Sequence, residues 1–106
     1  MKKGLFGIYK LDEHRNIKVE AVNGYILDYG RFRFGIRKIG KEWSITELST
    51  GMLTGLFTAR KKDIIQLLDN NTELLNFIQQ KIDNPTEFIK RAQEQIRKFY
   101  TVQPAE

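Results

Sequence analysis

Arg31, Arg33 and Arg37 stand at even separations in the segment GRFRFGIRKIG, so in an extended chain their side chains leave the backbone on the same side. A guanidinium is a planar, permanently charged fork of donors that matches phosphate oxygens and the acceptor edge of guanine. Repeated at strand spacing, it points to polyanion binding. A second basic run, Arg60, Lys61 and Lys62, falls where a helix is expected to begin. The macrodipole disfavours cations there by about 0.3–1 kcal/mol, and a phosphate held by the free N–H groups would relieve that cost. These six residues are the candidate nucleic-acid or partner-binding set. The bland account of the first group is a solvated sheet face diluted by Asp28, Glu42, Ser44 and Thr46. For the second it is three solvated side chains with Asp63 as local partner.

Other chemistries are poorly supplied. The chain has no cysteine, hence no thiolate and no disulfide. Its one histidine, His14, sits in the polar stretch Asp12–Asn16 and cannot form a clustered imidazole set for zinc or iron. Asp28, Glu42, Glu47 and Asp63 follow no catalytic spacing, and Asp28 reads as a cross-strand partner of Arg33. The glycines fall at turns or within strands, not at the strand-to-helix junction a nucleotide loop needs. The sequence therefore predicts a protein that is not an enzyme, with no catalytic residue, no metal and no cofactor.

The elements that must present the basic residues follow from periodicity. Leu5–Leu11 reads as a first strand, and Ile17–Val22 and Tyr25–Tyr29 flank Asn23-Gly24, a dipeptide suited to a type I′ turn. Gly30-Arg31 and Gly40-Lys41 lead into strands at Phe32–Ile39 and from Trp43, and Thr50-Gly51 turns the chain into Met52–Phe57. Threaded through tight turns, one face carries Val22, Tyr25, Leu27, Tyr29, Phe32, Phe34, Ile36, Trp43, Ile45 and Leu56. The arginines fall on the other with Ile17, Val19 and Ile26.

Beyond Phe57 the period becomes helical. Thr58 is the expected N-cap of a first helix with Ile64, Ile65, Leu67 and Leu68 as its stripe. Asn70 and Glu73 have capping-box spacing, and Asn84-Pro85-Thr86-Glu87 opens a last helix buried through Phe88, Ile89, Ala92, Ile96 and Phe99. That helix carries Lys90, Arg91, Arg97 and Lys98, which read as solvated, with Glu87 to Arg91, Lys90 to Glu94 and Glu94 to Lys98 at i,i+4 spacing. The expected fold is α+β, an N-terminal antiparallel β-meander of about five or six strands with about two or three C-terminal helices packed on one face. One domain spans residues 1–100, with strands over about 5–57 and helices over about 59–100, and 101–106 is an expected frayed tail.

Charge gives the partner its sign. The 106 residues include 18 Lys and Arg against 13 Asp and Glu, a net +5 with a pI near 9.6, which favours nucleic acid or an acidic protein surface. No apolar run approaches the length of a membrane span or a secretory signal, so the expectation is a soluble cytoplasmic protein without a membrane partner. The order of Trp43 strand, turn, Gly55-Leu56-Phe57 and helix resembles the layout of small three-stranded DNA-binding domains of the AP2 and integrase arm-binding kind, over about a quarter of the chain. That resemblance implies a sheet that contacts DNA. The expectation is a small basic nucleic-acid-associated accessory protein, with DNA placed before RNA. The alternative is a protein-binding or inhibitor protein of phage or mobile-element type, acting through the open sheet face and able to form a homodimer.

Overall fold

Gly30 and Gly40 take φ of +57° and +62°, which glycine adopts without a Cβ penalty, and each opens a two-residue turn. In the computed structural model, which describes residues 1–102, these turns join β2 (Ile17–Tyr29), β3 (Phe32–Ile39) and β4 (Glu42–Glu47). β1 (Lys2–Leu11) and β5 (Met52–Thr58) complete one antiparallel sheet in chain order. A 3-10 turn (Lys61–Asp63), α1 (Ile64–Asp69), α2 (Thr72–Asp83) and α3 (Glu87–Val102) follow. The fold is the expected α+β meander, realised with five strands and three helices.

The expected Asn23-Gly24 hairpin does not form. Both residues lie inside β2, Asn23 opposite Leu5 and Gly24 opposite Gly4. The first hairpin closes instead at Asp12–Asn16, where Asp12 Oδ1 accepts the backbone N–H groups of His14 and Asn16 at 2.8 Å each, an Asx-type turn that competes successfully with the Asn-Gly signal. Gly24 serves close approach rather than reversal, because a Cβ there would collide with the Ile36 carbonyl oxygen and lie 2.8 Å from the Phe6 ring.

With β2 unbroken, side-chain alternation runs straight through it. Leu27, Phe34, Ile36 and Ile45 pack with Ile64, Leu68 and Leu75 from α1 and α2, with Tyr25, Tyr29, Phe32, Trp43 and Leu56 around them. This is the predicted apolar face with one correction. Val22 belongs to a second cluster with Phe6, Ile8, Leu48 and Ile26, since two residues expected in a turn are extended and the parity before them inverts. For the same reason Ile17 and Val19 are not beside the arginines; Val19 lies near Gly7 and Phe99. Fully burying a Phe or Ile contributes about 1.5–3 kcal/mol, so both clusters hold the sheet in shape.

Helix boundaries shift by small amounts where side chains found other partners. Thr58 ends β5, bonding locally to Arg60, and does not cap α1. Asn71 precedes α2 and turns its amide back onto the Leu67 carbonyl at 2.7 Å, so Asn70 makes no capping box. Asn84 closes α2 through its backbone N–H to Gln80, and Thr86 Oγ1 accepts the Ile89 N–H at 3.2 Å to start α3. α3 lies against β1, with the Phe88 ring edge-on to Tyr9 at 5.8 Å. Of the expected tail, Thr101 and Val102 belong to α3, and 103–106 lie outside the described residues.

Candidate nucleic-acid interface

The arginine face is open only at one end. Ser44 and Thr46 are buried, as is Gly35, because Phe6 lies flat across the gap left by Gly24 and Gly35. The expectation of a broadly open face is corrected by the curl of β1 over it. Near the β2–β3 turn the cover ends, and a groove of about 810 Å³ opens between that turn and α3.

Arg31 and Arg33 line this groove, with Asp28, Ile26 and Phe32 from the same hairpin. Arg31 projects from the two-residue turn and is exposed. Arg33 donates from Nε to Asp28 Oδ1 at 2.8 Å, both groups being largely in solvent. An exposed pair of this kind is worth about 0–1 kcal/mol. Across the groove stands Arg97 of α3, with Gln93 and Ile96.

Two local devices fix the walls. Ile96 is buried against Gly51, whose φ of +71° and missing Cβ let the helix approach, and Arg97 is thereby held at the rim. The other device centres on Glu47, only 3% exposed. Its carboxylate accepts the N–H and hydroxyl of Ser49 and of Thr50 over 2.7–3.0 Å. Four donors satisfy the buried charge. They also brace Leu48 and Ser49, which line the groove, while the Leu48 N–H donates to the Arg33 carbonyl at 2.9 Å.

The remaining candidates are not brought to this place. Arg37 shares the face but sits over Gly24 beside Glu20, whose carboxyl is held below its ordinary range by the Lys10 ammonium first and by Arg37 further away. Lys61 and Lys62 lie in the 3-10 turn before α1 and Arg60, in extended conformation, precedes that turn, so none of the three is in the first turn of α1. Arg60 Nε bonds Asp63 at 2.8 Å, and Lys61 Nζ lies 3.7 Å from the Tyr25 ring centre and 5.7 Å from that of Trp43. The ammonium is held by aromatic faces. A six-residue helix offers little dipole, and Arg60 and Lys61 are engaged locally rather than gathered at a helix start.

His14 is exposed in the first turn, where its backbone, not its ring, bonds Asp12. Arg97 and Leu5 are groove residues that the reading of solvated, i,i+4-paired charges on the last helix and of a plain first strand passed over. Gln93, Ile96 and Arg97 at i, i+3 and i+4 do share a helix face, but nothing local to α3 says what it faces.

No known protein family, characterised protein or solved structure matches the chain. The AP2-like layout therefore gains no support, and the three-stranded portion that suggested it is part of a five-stranded sheet.

Proposed function

We propose that this protein is a non-catalytic, nucleic-acid-associated binding module that engages phosphates through the groove between the β2–β3 turn and α3. The observation that supports it best is the convergence of Arg31 and Arg33 with Arg97, from elements more than sixty residues apart in sequence, on one open groove. A net charge of +5 adds long-range attraction. Lys2, paired across the ladder with Ile26, places a further cation at the same end of the sheet. The test is retention on immobilised DNA and RNA across a salt gradient, beside an unrelated protein of equal charge. Binding through phosphates should fall steeply with salt and be lost in Arg31→Glu/Arg33→Glu. Elution with the charge control would reject the proposal.

A second reading, a protein-binding or inhibitor module, draws on a different surface. β5 is a sheet edge without a charged residue or proline, and Leu53 and Phe57 on it are 52% and 42% exposed. Such edges commonly pair with another chain. Sedimentation across a concentration series, with Phe57→Lys as the variant, reads self-association through this edge directly.

A further inference from the structure

Nucleic acids offer two kinds of surface to a protein, and the groove's lining separates them. A duplex turns phosphates outward and hides the flat faces of its bases in the stack. A single strand presents phosphates and base faces together. The basic groove carries both complements. Its arginines stand on the β2–β3 turn and on α3, and between them lie Leu5 and the half-buried Ile26, over a floor of buried Leu48 and Ile96. Leu5 is 51% exposed there, an apolar side chain left in water beside guanidinium groups.

We infer that the groove takes single-stranded nucleic acid, for which DNA is the probe, with phosphates on Arg31, Arg33 and Arg97 and unstacked bases against the Leu5 and Ile26 side chains. This rests on the basic-groove reading above and narrows it to one form of nucleic acid. Duplex binding to the same arginines would leave the apolar lining wet. A single strand covers it, and transfer of that apolar surface out of water adds to the phosphate term. The aliphatic lining and a half-buried Phe32 at the groove's edge provide contact that any base can make, because every base has an apolar face.

Fluorescence anisotropy tests this with a labelled 12-nucleotide DNA of mixed sequence, the same sequence as a duplex, and poly-glutamate as competitor. The single strand should bind at least tenfold more tightly than the duplex at equal salt. Leu5→Gln, a change at an exposed position, should weaken single-strand binding several-fold and leave duplex binding unchanged. Equal affinities, with Leu5→Gln silent and Arg31→Glu/Arg33→Glu deleterious to both, would overturn the single-strand inference and leave the basic-groove reading standing. Absence of binding to either DNA beyond a charge-matched control would overturn both. Displacement by poly-glutamate at equal charge concentration would overturn the inference in favour of an acidic protein partner. Circular dichroism of each variant, matching the unsubstituted protein, secures that the fold is retained.

Discussion

The Phe6 ring occupies the space that a side chain at Gly35 would need, an ideal Cβ there falling 2.5 Å from the ring. Phe6 is fully buried, so the ring cannot swing into solvent without exposing a large apolar area. Gly35→Ala should therefore destabilise the protein by about 1–3 kcal/mol through overpacking. Denaturant unfolding checks it as a lower midpoint with unchanged slope. Pairing Gly35→Ala with Phe6→Leu should cost less than the two single changes added together, because the smaller side chain makes the room the methyl needs.

The same contact explains where the sequence was legible and where it was not. Alternation placed Leu27, Phe34, Ile36 and Ile45 on one buried face, because each strand's parity is a local property. The Asn23-Gly24 signal fails because Asn-Gly marks a turn only where the chain must reverse, and Asp12 has already closed the first hairpin just beyond the Leu11–Ile17 pair. The need for a bare backbone under Phe6 is a contact across three strands, invisible to any local window. The groove was half legible for a similar reason. Arg31 and Arg33 announce themselves by strand spacing, whereas Arg97 joins them only because Ile96 docks on Gly51.

Glu47 is a buried carboxylate with four donors from Ser49 and Thr50. Glu47→Ala would strand the two buried donors of Thr50, those of exposed Ser49 turning to water, and should cost about 1–3 kcal/mol. Glu47→Gln keeps an acceptor oxygen and should cost roughly half as much, since hydrogen bonds to a charged group are the stronger ones. Thermal unfolding of the two variants side by side orders them, and a silent Glu47→Ala would remove the bracing role assigned to this residue.

Acid should loosen the β1–β2 turn only below the ordinary carboxylate range. The Asp12 carboxyl is held below the usual carboxylate range, chiefly by the backbone N–H of Asn16 and also by that of His14 and by the Lys18 ammonium. A depressed folded value means the turn's contribution is present above the unfolded carboxylate pKa, about 4, and is lost as pH falls through the folded value. Asp12→Ala should thus lower the melting temperature at pH 7, with the difference from the unsubstituted protein shrinking as pH falls below the ordinary carboxylate range. A difference that stays constant with pH would mean that the ionised carboxylate is not what closes the turn.

The two basic clusters make opposite predictions. Arg60 is tied to Asp63 and Lys61 to the rings of Tyr25 and Trp43, so their charges already serve the fold. Lys61→Ala should cost about 0.5–1 kcal/mol of stability through the lost cation–π contact, and Arg60→Gln/Lys62→Gln should leave DNA affinity nearly unchanged. Arg31→Glu/Arg33→Glu should do the reverse, leaving stability within about 1 kcal/mol because both side chains are exposed and the cost is confined to the Asp28 pair, which becomes a like-charge one, while lowering the slope of log affinity against log salt by about 2, one for each phosphate contact removed. Affinity at two salt concentrations for each variant, read beside its melting temperature, separates the clusters. If the loss of affinity followed Arg60 and Lys62 instead, ligand would be reaching the turn before α1, and the groove would not be the site.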